Sequence, residues 1–173
     1  MFIKALYPYF CSIRVVTSFI VFICALSLSV ALISQYVFGL QPCLLCSYQR
    51  VPYVFAIFCG VIGLMSINHS RIAPIIMIIF CGILFFINTG IAGYHVGIEQ
   101  EWWTGSSGCT IQLPENATLE ELREAVINAP VTKCDDIQWS LFGVSMAGYN
   151  YLLSLVLAIL SITSASLIYK EKK

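Results

Sequence analysis

Long uninterrupted stretches of apolar residues dominate the chain, and polar residues are concentrated in the segments between them. A helix needs roughly 20 mostly apolar residues to cross about 30 Å of hydrocarbon. Four stretches have this length, at about 15–37, 48–67, 72–94 and 142–169. They are continuous and lack the alternation of barrel strands, and helices satisfy every backbone polar group internally, as lipid requires. The pattern predicts an all-α membrane protein, a bundle of four transmembrane helices.

The composition strengthens this interpretation. Hydrophobic residues make up 59% of the 173 residues and charged residues 10%, and the mean hydropathy is +0.87. Soluble domains are roughly half apolar and about one quarter charged, so this chain has too little polar surface for a water-soluble globule. Nine Lys and Arg residues balance nine Asp and Glu residues, which excludes a basic nucleic-acid-binding protein. We therefore predict a single membrane domain over residues 1–173.

Basic residues indicate the orientation, because cytoplasmic segments of membrane proteins carry an excess of Lys and Arg. Six of the nine Lys and Arg residues lie on the side of the two termini, and three lie on the other side. We expect both termini in the cytoplasm and the loops at about 38–47 and 95–141 outside. The first stretch is too long for a signal peptide and lacks a clear cleavage site, so we expect it to be retained.

Two polar features accompany the apolar pattern. In the second outer loop, the spacing of Thr118 and Glu121 matches a capping box before apolar residues at helical spacing. This predicts a short amphipathic helix from about Leu119 to Asn128, lying either on the membrane surface or over the loop's own small core. Asn88 is a polar residue inside the third stretch, and we expect it to bond to another helix.

The eight cysteines fall into two groups. Four lie before or within the spans and are interpreted as packing residues: Cys11, Cys24, Cys59 and Cys81. The other four lie in the outer loops, where an oxidising compartment favours disulfides: Cys43, Cys46, Cys109 and Cys134. The pair in the second loop is compatible with a structural disulfide. A zinc site built from all four is less favoured, because only one C-x-x-C is present.

The C-x-x-C of Cys43 and Cys46 stands at the start of the second span, which we place between Cys46 and Tyr48. Such pairs are often redox-active, because the field of a helix amino terminus stabilises a thiolate. Arg50 follows Cys46 by four residues and therefore shares its helix face. It either anchors the helix at the membrane surface or stabilises a thiolate or a carbonyl oxygen beside Cys46. His95, at the outer end of the third span, is either an interfacial hydrogen-bonding residue or part of this site.

Residues 42–50, P-C-L-L-C-S-Y-Q-R, resemble the P-C-x-L-C-x-Y-[EQ]-R motif of a known family. This is the disulfide bond formation protein B (DsbB) family of bacterial inner-membrane thiol oxidases. The cysteine pair of the second loop and the stretch C-D-D-I-Q-W-S-L-F-G at 134–143 are also similar to that family. Y-H-V-G at 94–97 and the two tryptophans at 102–103 are similar to alphaproteobacterial members. The resemblance extends over nearly the whole chain.

The resemblance implies a protein that re-oxidises a periplasmic DsbA-like oxidase of thioredoxin fold and passes the electrons to ubiquinone or menaquinone. It also implies two redox disulfides, Cys43–Cys46 and Cys109–Cys134. Cys109 would form the mixed disulfide with the partner, and Cys134 would be released. Cys134 would then react with Cys43, the more exposed member of its pair, after a movement of the second loop.

In the same family, Cys46 would face the quinone and its thiolate would form a transient adduct or charge-transfer complex. Arg50 would stabilise that thiolate and the quinone, and His95 corresponds to a family histidine near the quinone. The alternative is a non-catalytic four-span scaffold with structural disulfides, of the tetraspanin type, although the Cys-Cys-Gly signature of that type is missing. A reductase working in the opposite direction ranks lower, because a quinol is a poor reductant for stable disulfides.

Overall fold

The computed structural model describes residues 12–70, 72–105, 119–120 and 132–171. Each of four helices in these residues is long and apolar enough to cross a membrane: α1 (Ile13–Tyr36), α2 (Leu44–Ser66), α3 (Ala73–Glu99) and α4 (Met146–Glu171). This confirms the predicted all-α, four-helix architecture. Of the amphipathic helix expected in the second outer loop, only the first two residues are described, and Cys109 also lies outside the described residues.

Helix α3 packs against both α2 and α4, and α1 packs mainly against α2. Ile20, Phe85 and other large apolar side chains fill the interior and are fully buried. Large apolar side chains such as Phe22, Phe58 and Phe86 are also exposed on the outside of the bundle. Helices that are apolar on all sides are typical of membrane spans, so the few polar side chains of the interior mark the places where the helices interact specifically.

Helix α2 begins at Leu44, earlier than the start we expected between Cys46 and Tyr48. Cys43 is its N-cap residue, with an extended backbone, and the Cys43 sulfur accepts a hydrogen bond from the backbone N–H of Cys46 at 3.2 Å. The sulfur thus does what a serine or aspartate oxygen usually does at this position. Because the helix starts here, the first turn contains Cys46, and Pro52 lies inside the helix.

Helix α3 continues to Glu99, about one turn beyond the end expected near Tyr94. The added turn carries His95 and Glu99, so both side chains are held on a helix and not in a loop. Within the same helix Asn88 does bond to another helix, as expected: its Nδ2 donates to the Ser154 hydroxyl of α4 at 2.8 Å. Both side chains are fully buried.

Helix α4 begins at Met146, whereas the apolar pattern placed its start near Phe142. Phe142 and Gly143 have φ values of 52° and 78°, which a helix does not allow and a type I′ turn requires. They join two short antiparallel strands, β1 (Ser140–Leu141) and β2 (Val144–Ser145). Near this hairpin α1 ends, α2 begins and α3 ends; we call this end of the bundle the thiol end, since Cys43, Cys46 and Cys134 lie there.

Candidate functional site

The two sulfurs of the C-x-x-C are in direct contact. Cys43 Sγ donates to Cys46 Sγ across 2.9 Å, longer than the roughly 2.05 Å of a disulfide bond, so the pair is in its dithiol form. This hydrogen bond, and then burial, raise the pKa of the Cys43 thiol to about 12. At neutral pH the proton therefore stays on Cys43. A displacement of only about 1 Å separates the two sulfurs from disulfide length.

The exposure of the pair is the reverse of what the resemblance implied. Cys43 is buried, with 5% of its surface exposed, while Cys46 is half-buried. Cys43 packs in a small apolar cluster with Leu45, Ile98 and Cys134. The expectation that Cys43 is the more exposed cysteine is wrong, because the segment that carries Cys134 covers it.

Cys134 lies at the same site. It is 1% exposed, shares the small cluster with Cys43 and is close enough to Cys46 for an electrostatic interaction. Its backbone lies within hydrogen-bonding reach of the His95 ring. The structure therefore brings these thiols together without the loop movement that we expected for the approach of Cys134 to Cys43.

His95 lies against Cys43, and its two ring nitrogens have different neighbours. Nε2 is 3.6 Å from Cys43 Sγ and 3.8 Å from a carboxylate oxygen of Glu99. Nδ1 is 3.0 Å from Nε2 of Gln49. The ring is 3% exposed, so these contacts fix its position. The sequence placed His95 near this site, and the structure places it next to Cys43.

Arg50 lies one helical turn after Cys46 and is half-buried. Its guanidinium donates to the side-chain oxygen of Gln35 at 2.6 Å and to the backbone oxygen of Ala31 at 3.5 Å. Both acceptors belong to the last turns of α1. Arg50 therefore connects α2 to α1 at the thiol end, and within the part of the chain that the structure describes its hydrogen bonds go to α1 and not to a sulfur.

Three residues that contact this site were assigned no role from the sequence: Gln49, Glu99 and Asn150. Glu99 follows His95 by four residues, the spacing that places two side chains on one helix face, and this signal could have identified it. Asn150 is a polar residue in an apolar span, which is itself a functional signal. Its Nδ2 donates to the side-chain oxygen of Gln49 at 2.5 Å.

Metal binding is the other function that these side chains could serve. The ligand atoms of Cys43, Cys46 and His95 lie within 4.8 Å of one another. Two sulfurs on a tetrahedral zinc stand roughly 3.8 Å apart, given Zn–S bonds of about 2.3 Å, whereas these are separated by 2.9 Å. The geometry fits a dithiol better than a zinc centre.

Comparisons with known proteins agree with this chemistry. The family model described as "Disulfide bond formation protein DsbB" matches residues 13–164. A disulfide bond formation protein B of Mannheimia succiniciproducens is 30% identical over 144 residues, covering 78% of this chain and 77% of that protein. Another from Haemophilus influenzae is 28% identical, covering 84% and 82%. An uncharacterized protein of Rickettsia prowazekii, RP370, is 27% identical over 84% of each chain.

The family model covers the four helices except the last residues of α4, and it includes the C-x-x-C and both cysteines of the second outer loop. The fold, the contacting thiols and the family match point to one conclusion. The chain belongs to the DsbB family and is a multi-pass membrane protein of disulfide bond formation, with thiol oxidoreductase chemistry.

Proposed function

We propose that the protein re-oxidises a DsbA-like dithiol oxidase at the outer face of the bacterial inner membrane and passes the electron pair to ubiquinone or menaquinone. The observation that carries this proposal is the meeting of Cys134 with the Cys43–Cys46 pair at the thiol end. Exchange between a thiolate and a disulfide requires contact between sulfurs, and Cys134 packs in the same small cluster as Cys43 and Cys46.

The proposed reaction conserves electrons and protons. Two thiols of the partner become a disulfide, and the two electrons and two protons reduce one quinone to a quinol. The partner's thiolate would attack the Cys109–Cys134 disulfide at Cys109, which releases the Cys134 thiolate. Cys134 would then attack Cys43 of the oxidised C-x-x-C and expel Cys46 as the thiolate, which leaves Cys46 beside the electron acceptor.

The surface next to Cys46 suits a quinone headgroup. Cys46 and Arg50 are both half-buried and lie one turn apart on α2. Gln35, which binds Arg50, is followed directly by Tyr36 and two further large apolar side chains that are more than 70% exposed. An apolar surface with a few fixed polar groups is typical of such sites. Arg50 would donate to a carbonyl oxygen of the quinone, which supplies the electron-accepting chemistry when bound.

His95 lies on the Cys43 side of the pair. We propose that His95 belongs to the same site and acts directly on Cys43. It would affect the reduction of the quinone only through the Cys43–Cys46 pair. The excess of Lys and Arg on the side of the termini supports an orientation with the thiol end in the periplasm and both termini in the cytoplasm. A scaffold of structural disulfides has less support, because it gives no reason for a buried histidine and carboxylate beside the thiols.

The test is a turnover assay with the full chain in detergent. Reduced DsbA-like partner and a soluble quinone analogue are mixed with the protein, and quinone reduction is followed by absorbance. We expect turnover by the unmodified chain, none for Cys46→Ser, and normal turnover for Cys81→Ser, a matched substitution of a cysteine buried in the core. Normal activity of Cys46→Ser, or no quinone reduction by the unmodified chain, would overturn the proposal.

A further inference from the structure

A chain of buried and part-buried hydrogen bonds runs from the interior of the bundle to the cysteine pair. The Tyr53 hydroxyl donates to Asn150 Oδ1 at 2.5 Å, and Asn150 Nδ2 donates to Gln49 Oε1 at 2.5 Å. Gln49 Nε2 then lies 3.0 Å from His95 Nδ1, and His95 Nε2 lies 3.6 Å from Cys43 Sγ. We call Tyr53, Asn150 and Gln49 the amide chain. Its members come from α2 and α4, and His95 comes from α3.

The direction of these hydrogen bonds can be assigned from the His95 end. Nε2 faces the sulfur of Cys43, which donates its own proton to Cys46 and can therefore only accept from the ring. Nε2 therefore carries the proton. In a neutral ring Nδ1 is then an acceptor, so Gln49 must present its NH₂ group to Nδ1 and its oxygen to Asn150.

The direction can be assigned independently from the interior end. Three donors are directed at Asn150 Oδ1: the Tyr53 hydroxyl at 2.5 Å, the Ser154 hydroxyl at 3.4 Å and the Asn88 amide at 3.5 Å. With its oxygen held by these donors, Asn150 must present its NH₂ group to the oxygen of Gln49. The orientation reached from the interior is the same as the one reached from His95.

We propose that the amide chain acts as a set of positioning residues which hold the His95 proton on Nε2, directed at the Cys43 sulfur. The inference deepens the proposed function and rests on it only for the redox role of Cys43. A donor fixed in this way stabilises Cys43 whenever it carries negative charge, as it does each time a disulfide to Cys43 is broken by exchange. The Glu99 carboxylate lies 3.8 Å from the same Nε2.

Glu99 is itself held in place, which makes it a defined acceptor. Its second carboxylate oxygen accepts a short hydrogen bond from the Ser145 hydroxyl, and that hydroxyl accepts from the backbone N–H of Gly148 at 3.1 Å. Ser145 belongs to β2, so the hairpin before α4 fixes the carboxylate. Nε2 thus lies near the Cys43 sulfur at 3.6 Å and the Glu99 carboxylate at 3.8 Å, and the Cys134 backbone is also within reach of the ring.

The tautomer of His95 can be measured directly by ¹⁵N NMR of the full chain labelled at histidine. His69→Gln removes the other histidine of the chain and leaves a single imidazole. We expect a protonated Nε2 and an unprotonated Nδ1 in the neutral ring. Asn150→Leu should convert this into a mixture of both tautomers, because Gln49 can then turn its amide. Tyr53→Phe removes one donor to Asn150 and should give a smaller change in the same direction.

Asn68→Leu is the matched control, because Asn68 accepts from Arg14 at the opposite end of the bundle; it should leave the spectrum unchanged. A proton on Nδ1 in the parent protein would overturn the inference. A spectrum unchanged in both Asn150→Leu and Tyr53→Phe would also overturn it, and Tyr53→Phe keeps the test decisive if Asn150→Leu does not fold.

The second readout is the pH dependence of Cys43 alkylation in a Cys46→Ala background, followed by mass spectrometry of the Cys43 peptide. Among the described residues, the titratable groups near Cys43 in this background besides His95 are Cys134, which packs against it, and Glu99, which lies 3.8 Å from the His95 ring. Asn150→Leu should move the alkylation midpoint up by about one pH unit, which is a tenfold loss of thiolate below the midpoint, and Asn68→Leu should not move it. An unmoved midpoint in Asn150→Leu would contradict the role assigned to the chain.

Neither measurement needs a quinone or a protein partner. A protein that shows the expected tautomer but does not reduce a quinone would refute the proposed function alone. An active protein with the proton on Nδ1 would refute the amide-chain inference alone.

Discussion

The cysteines at the thiol end and the cysteines in the middle of the bundle have the same side chain in opposite surroundings. Cys24 and Cys81 are fully buried among apolar residues of the main core, and Cys81 donates only a long hydrogen bond of 3.7 Å to a backbone oxygen. Cys43 is also buried, but it contacts another thiol, an imidazole and the segment of a third cysteine.

Burial alone therefore does not separate a packing cysteine from a reactive one. A thiol becomes useful in exchange when a second sulfur lies within reach and when donors stabilise the thiolate. Both conditions hold at the first turn of α2. In the core the sulfur behaves as a small apolar atom, and its contribution is to packing.

Cys134→Ser should have the largest effect on activity. We expect turnover with the protein partner to fall about a thousandfold or more, in the range of lost catalytic nucleophiles, because no sulfur would remain to react with Cys43. Oxidation of a small dithiol such as dithiothreitol should continue, since it can reach the half-buried Cys46 without the help of Cys134. Parallel assays with both substrates measure this. Cys59→Ser is the control, and equal loss with both substrates would contradict the assigned order of thiols.

Phe85→Ala should have the reverse effect of Cys134→Ser: it should lower the stability of the bundle and leave the reactivity of the thiols unchanged. Phe85 is fully buried in the main core, and removal of such a ring costs about 3–5 kcal/mol of the free energy of unfolding. The melting temperature in detergent should fall clearly. At temperatures where the variant remains folded, its thiols should react as in the parent chain. If turnover at low temperature falls as much as in Cys134→Ser, the core and the thiol end are not separable.

Arg50→Ala should raise the KM for the quinone analogue by roughly ten- to a hundredfold, which corresponds to the 1.5–3 kcal/mol of a hydrogen bond to a charged group. Steady-state kinetics with varied quinone measure this. Arg14→Ala removes an arginine that binds Asn68 at the far end of the bundle, and its KM should stay unchanged. An unchanged KM in Arg50→Ala would mean that Arg50 only joins α2 to α1.

The smallest effect concerns Cys43 in the Cys46→Ala variant. The hydrogen bond to Cys46 is the main reason that the pKa of Cys43 is raised to about 12, so its loss should lower that pKa. More thiolate is then present between pH 7 and 10, and alkylation of Cys43 becomes faster although its partner thiol is gone. Alkylation rates across this pH range test the sign, and slower alkylation than in the parent would contradict it.

The sequence predicted the fold class well because each span is decided by local hydrophobicity. It placed the ends of the spans less well, and each discrepancy lies where a specific backbone interaction decides the boundary. Cys43 caps α2 through its own sulfur, which moves the start of the helix before Cys46. Phe142 and Gly143 adopt left-handed φ values, so α4 begins at Met146 and not near Phe142.

The sequence by itself determined that the chain crosses a membrane four times and that Cys43, Cys46 and Arg50 lie together, since apolar length and short spacing along one helix are local properties. Only the tertiary structure decided that Cys43 lies beneath Cys134 and against His95. It also decided that Gln49 and Asn150, 101 residues apart, share a hydrogen bond. Contacts of this kind depend on how α2, α3 and α4 pack, and a hydrophobic pattern fixes which faces are buried but not which polar groups meet there.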